Sequence, residues 1–256
     1  MIRFWKPIIA TLSVLFISST VLSPVPVIAS PVDSIKINAP TTYDDSSGVS
    51  FTVSVPWQKL DIELVEIDNK MYSQITIPGW ASTTQVGAPE LPATVEQIGV
   101  PFGANVEIQV TPGESHTFRL EAPVLPVATQ VIETDLQIGA DGTPLLPEAR
   151  FSYYEDQGIY TVDSSYPSNL AIIGNDGTVR QQRVMGIIAY PIQYNPQTNE
   201  LTVYETLEVE VTFSGSSFLS RQVASPESEI YEGLLGASLL NYDTSIQWRQ
   251  PDSGIS

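Results

Sequence analysis

The residues able to do chemistry are few, and their counts exclude more than they suggest. The 256-residue chain has no cysteine and a single histidine, His116. A thiol nucleophile and a disulfide framework are therefore both ruled out. One histidine cannot build an imidazole-rich metal site, and only His116 could serve a Ser–His–Asp arrangement. It lies in HTFRLEA, where His116, Phe118 and Leu120 alternate onto one side of an expected strand. A half-buried strand histidine is the simpler reading. Carboxylates abound, 29 in all, so a glycosidase pair could be drawn from them. The doublets Asp44-Asp45 and Glu155-Asp156 do not qualify, because neighbours on a strand point to opposite faces. Asp141-Gly142 and Asp176-Gly177 lack the three-carboxylate spacing of an EF-hand loop and read as hairpin turns. No catalytic residue, metal site or cofactor is expected.

Charge narrows the partners. Eleven Lys and Arg against 29 Asp and Glu give a net charge of −18. A nucleic-acid partner needs a basic face, and an anionic membrane surface would repel this chain. A solubilising acidic surface, or docking onto a basic partner, fits better.

The elements that must position any site read as strands. Hydrophobic residues at 42% supply a sizeable core, and 20 Pro with 16 Gly favour many turns over long helices. Residues 1–29 carry the three-part pattern of an export signal. Arg3 and Lys6 come first, then an apolar run from Pro7 to Leu22, then Val27-Ile28-Ala29 before Ser30, with cleavage expected after Ala29. Pro24 and Pro26 argue against a continued membrane helix. Removal leaves nine basic residues (11 minus 2) against 29 acids. No later apolar run could span a bilayer, so a secreted, soluble chain is expected.

Beyond the signal, period-two runs recur. Val49, Phe51, Val53 and Val55 share one face, as do Leu60, Ile62 and Leu64, and Val106, Ile108 and Val110, the pattern of strands with one buried and one wet face. Turn signals separate them at 77–80, 100–105, 111–114, 139–143 and 174–178. The segment 189–213 reads as a hairpin, with Asn195-Pro196 opening its turn. In its second strand Leu201, Val203, Leu207, Val209, Val211 and Phe213 are all odd-numbered, so a one-residue slip would turn six large apolar groups to water. VMGIIAYPIQY, apolar on both faces, reads as a central strand with Pro191 at an edge or bulge. These patterns predict an all-β fold, an antiparallel sandwich. A short helix is predicted over 225–242, capped by Ser225 with Pro226 at its first position, and burying Ile230, Leu234, Leu235 and Leu239. The tail after it reads as a polar linker.

GAPELP at 87–92, RQQRVMGIIAYPIQYNPQTNELTVYETLEVEVTF at 180–213, EIYEGLLGASLLNY at 229–242 and the following Arg249 occur in an order that resembles the propeptide of gingipain-type cysteine peptidases. The resemblance covers most of residues 50–250. It implies a jelly-roll-like β-sandwich prodomain over 30–215, then a connector with a short helix over 216–256 that leads to an activation junction. It further implies a non-catalytic chain that inhibits and helps to fold its own peptidase, the expected partner, until cut away near Arg249. Arg221 is a second expected nick site. In trypsin-like members a basic side chain from a projecting loop fills the specificity pocket. Between Leu120 and Ala149 there is no Lys or Arg, which leaves Arg150 as the basic candidate. The alternative is a secreted binding or adhesion module using Trp57, Trp80 or Tyr204 as stacking platforms for a glycan, or docking a protein ligand.

Overall fold

A computed structural model of the chain describes residues 41–42, 47–132, 149–215 and 228–249. All of these lie in one compact unit spanning Ile35–Ser256. Ala29 and Arg221 fall outside the described residues, as do Asp141 and the proposed cap at Ser225 and Pro226.

The strands are β1 (Thr41–Thr42), β2 (Gly48–Ser54), β3 (Asp61–Ile67), β4 (Lys70–Thr76), β5 (Ala81–Ser82), β6 (Pro92–Val100), β7 (Asn105–Pro112) and β8 (Ser115–Arg119). After them come β9 (Thr129–Ile132), β10 (Ala149–Ser152), β11 (Ala171–Val179), β12 (Gln182–Ala189), β13 (Ile192–Asn195), β14 (Glu200–Tyr204) and β15 (Thr206–Ser214). Helices are short: α1 (Gln157–Tyr160), α2 (Glu229–Ser238) and α3 (Tyr242–Ser245), with 3-10 turns at Trp57–Lys59 and Ile246–Trp248.

The described strands pair with one another antiparallel throughout, and the expected sandwich is present. One sheet runs β1-β2-β15-β7 and the other β11-β12-β6-β5. The inward faces of β2 and β15 (Val49, Phe51, Val53, Leu207, Val209, Val211, Phe213) meet Ile98, Val100, Met185, Ile187 and Ala189 of β6 and β12 in one buried cluster. At roughly 1.5–3 kcal/mol per large apolar side chain, this face holds the register. A second cluster lies beside the β13-β14-β8 sheet, around Ile75, Leu91, Val124, Tyr160, Ile192, Tyr194, Leu201 and Val203. VMGIIAYPIQY is not one strand, because it breaks at Tyr190-Pro191: its first part lies in β12, flanked on both sides by β11 and β6 and hence apolar on two faces, and Ile192–Tyr194 lie in β13 of the three-stranded sheet.

Four further expectations differ from the structure. The strand expected over 201–213 breaks at Glu205. Its first half pairs in the three-stranded sheet and its second in the sandwich, while the six odd-numbered residues stay buried on both sides of the break. The 174–178 turn is strand instead. β11 runs through it with a bulge between Ile173 and Asp176, and the chain reverses at Arg180, whose φ is +52°. Ile62 and Leu64 do not join the core, being 38% and 48% exposed, because among the described residues β3 pairs with β4 alone. The C-terminal helix begins at Glu229 with Ser228 as its N-cap residue. It buries Leu235 and Leu239 but leaves Ile230 and Leu234 at 88% and 59% exposure, so its apolar residues are split between two faces.

Candidate functional site

The GAPELP segment shows what the sequence invests in one region. Gly87 N–H donates to Val127 O (2.9 Å), Val127 N–H to Ala88 O (2.8 Å) and Glu90 N–H to Leu125 O (2.8 Å). From the other direction Asp156 N–H donates to Gly87 O at 2.9 Å. Gly87 sits at φ +82°, and a Cβ there would lie 2.6 Å from Cε2 of Tyr154. Only glycine meets both demands, the left-handed backbone and the close ring. Thr83 stitches the motif to the body, donating to Pro89 O and accepting from Leu91 N–H, while Leu91 is fully buried. One short motif thus grips the chain just before β9 and just after β10.

Further contacts anchor the second root. Lys70 Nζ lies 2.5 Å from Glu155 Oε1. The hydrogen bond to that carboxylate holds the Lys70 ammonium above its ordinary pKa against a smaller desolvation effect. Asp156 caps α1 by accepting from Gly158 N–H (2.8 Å). Tyr160 donates its hydroxyl to Val124 O at 2.7 Å, and burial pushes its phenol up. Nearby Tyr194 is likewise desolvated, its phenol pushed up to about 12, and it donates to Asn199 Oδ1 (2.7 Å).

From these roots β9 and β10 form a two-stranded arm that pairs with no other described strand. Its side chains are open: Val131 is 44% exposed, Phe151 64% and, at the root, Tyr154 52%. Arg150 is exposed on β10, opposite Val131. It belongs to the strand of the arm, while residues 133–148 lie outside the described part.

Arg249 contradicts the picture of an exposed basic residue in a polar linker. It is 2% exposed. Its Nη1 and Nη2 donate to the two carboxylate oxygens of Glu232 at 2.7 and 2.9 Å, a bidentate fork. The Glu232 hydrogen bond raises the guanidinium pKa further, so it is charged at any working pH. Residues 239–249 pack as structure. Leu240 N–H donates to Gln97 O, and the Asn241 amide both donates to Gly99 O (2.9 Å) and accepts from Gly99 N–H (2.7 Å). Gly99 allows the approach, since a Cβ there would lie 2.3 Å from that of Ser245. Trp248 is buried edge-on to Phe213 at 5.4 Å between centroids. Sequence reasoning missed Glu232, Asn241 and Tyr154. Only Gly87, as a glycine opening a quoted motif, signalled anything locally.

His116 is half-buried, as read. Its Nε2 lies 2.6 Å from Glu205 Oε1 and its ring stacks on Trp57 at 4.0 Å. Trp80 packs against both core clusters, and Tyr204 against the sandwich core with its hydroxyl on Gln193 Oε1. The three aromatics considered as sugar platforms are engaged in packing. Among the described residues there is no metal-binding group of His, Cys, Asp or Glu, and no helix is long and apolar enough to cross a membrane.

The sequence matches the Propeptide_C25 family model over residues 41–246. Lys-gingipain from Porphyromonas gingivalis is 26% identical over 195 residues, covering 73% of this chain and 11% of that protein, and Lys-gingipain W83 matches to the same extent. The chain therefore spans only a small part of the length of these curated relatives. Of solved structures, a complex of the pro- and mature domains of Porphyromonas gingivalis RgpB superposes with a TM-score of 0.62 at 16% identity, covering 81% of this chain and 97% of the matched one. A structure describing the zymogenic latency of gingipain K from Porphyromonas gingivalis gives 0.52 at 23% identity, covering 70% and 97%.

Proposed function

Because the chain belongs to the Propeptide_C25 family, a family of gingipain-type propeptides, we propose that it inhibits a gingipain-type cysteine peptidase and assists its folding. In this reading residues 1–29 direct export and are removed, so the prodomain acts outside the cytoplasm. It has no cysteine and so no nucleophile of the peptidase's kind. It acts by occupying the peptidase's cleft.

The observation that carries the reading is the β9–β10 arm, clamped at both roots by Gly87 and presenting Phe151, Val131 and Arg150 to solvent. A preformed arm binds with little ordering cost. Arg150 is the basic side chain proposed to enter a specificity pocket, with Val131 across the ladder on its face of the arm, while Phe151 presents apolar area on the other face. Arg249 and Arg221 are the proposed processing positions. The burial of Arg249 adds a condition, since cutting after it requires the Glu232 fork to open first.

Titration of the full chain into the gingipain-type peptidase of the same organism tests this. Stoichiometric loss of peptide hydrolysis supports the reading, and undiminished turnover at a hundredfold excess of the chain refutes it.

A further inference from the structure

The geometry points to a second docking element, the outer edge of β3, as the seat of an extended segment that alternates Lys or Arg with apolar side chains. This rests on the prodomain reading, and the segment is assigned to the peptidase partner.

Among the described residues β3 pairs with β4 on one side and with nothing on the other. Such an edge offers a row of unmet N–H and C=O groups. The edge carries the acidic side chains Asp61, Glu63 and Glu66 but neither Pro, Lys nor a bulge, its register against β4 running from Asp61 to Ile67 without a shift. Its first half is exposed on both faces. On one face Ile62 and Leu64 are exposed at 38% and 48%, and Met71, at 44%, lies further along that face opposite Glu66. On the other stand Asp61 and Glu63, which make no ion pair to any described residue.

Charge selects the occupant. A second copy would set acidic strands side by side on chains of net charge −18, and like charges facing across a ladder destabilise it. A strand with basic residues over Asp61 and Glu63 and apolar ones over Ile62 and Leu64 satisfies backbone, charge and apolar area together, as strand addition requires. Position agrees, since Lys70, opposite Ile67 in the ladder, pairs with Glu155 at the root of the arm. A body that grips the arm can reach this edge, since β3 runs about 20 Å from Ile67 to Asp61 at some 3.3 Å per residue.

Hydrogen exchange on the full chain tests this with two probes, an octapeptide alternating valine with lysine and the nucleophile-inactivated peptidase of the same organism. An octapeptide alternating valine with glutamate is the control. The lysine peptide and the peptidase should each slow the amides of 61–67 at least fivefold, and the control should not. The Asp61→Lys/Glu63→Lys variant, with an unchanged melting temperature, should abolish the peptide effect and weaken peptidase binding about tenfold. Peptidase binding that leaves 61–67 unprotected, or equal protection by both octapeptides, overturns the β3 assignment and leaves the prodomain reading standing. Failure of the peptidase to bind at all refutes the prodomain reading, and with it the occupant named here.

Discussion

The two terminal nitrogens of Arg249 lie 2.7 and 2.9 Å from the two carboxylate oxygens of Glu232, and the arginine is 2% exposed. This fork ties the last described residue to α2, and Asn241 ties the segment between them to β6. Glu232→Ala would strand a buried guanidinium and should cost about 3–5 kcal/mol, whereas Glu232→Leu/Arg249→Met should recover most of the loss. Urea unfolding measures both. In the native chain, cleavage after Arg249 by an arginine-specific protease should be slow, and Glu232→Ala should accelerate it at least tenfold, read by mass spectrometry of the products.

Gly87 should be intolerant of a side chain. Gly87→Ala forces a methyl against the Tyr154 ring at φ +82°, which should cost about 1–3 kcal/mol. The damage should localise to the arm, with amides of 129–132 and 149–152 exchanging faster. Gly87→Ala/Tyr154→Ala removes the clash but not the backbone strain, so it should recover only part.

Two carboxylates should give opposite pH slopes. The hydrogen bonds from Arg183 hold Asp176 below its ordinary value of 3.8. Its contribution is present above 3.8 and lost as pH falls through the lowered value. With Asp176 42% exposed, Asp176→Asn should cost under about 1 kcal/mol, and the gap to wild type should close in acid. Burial raises Glu96 above 4.5, so the folded chain holds that proton more tightly and loses stability as pH rises through the raised value. Glu96→Gln should therefore melt higher than wild type at pH 7, with the difference vanishing below pH 4.5. Melting temperatures across pH 3–8 separate the two.

Phe151 should matter for binding and not for folding. At 64% exposure, Phe151→Ser should change stability by no more than about 0.5 kcal/mol. It should weaken inhibition of the peptidase by tenfold or more if the ring is a buried anchor in the complex.

The sandwich was readable because alternation reports which residues share a face. β2 and β15 bury the residues that their spacing selects. Alternation does not report whether anything covers that face, and so Ile62 and Leu64 were placed in a core that β3 never reaches. Nor does it report where a strand changes sheets, since Glu205 interrupts pairing without disturbing parity. The tail after α2 looked like a linker because Asn241, Ser245 and Arg249 are polar. Their partners, Gly99, Tyr242 and Glu232, are supplied by the fold or by neighbouring turns. The arm's foundation was half legible: GAPELP stood out, but Tyr154, 67 positions on, is visible only once the chain has closed upon it.

The β9–β10 arm is proposed to occupy a peptidase's cleft. The most direct test compares the affinity of the full chain for its peptidase with the cleft open and with the cleft filled by a covalent active-site inhibitor. Cleft occupation requires at least a hundredfold weaker binding to the blocked enzyme, and equal affinity for the two forms would contradict it.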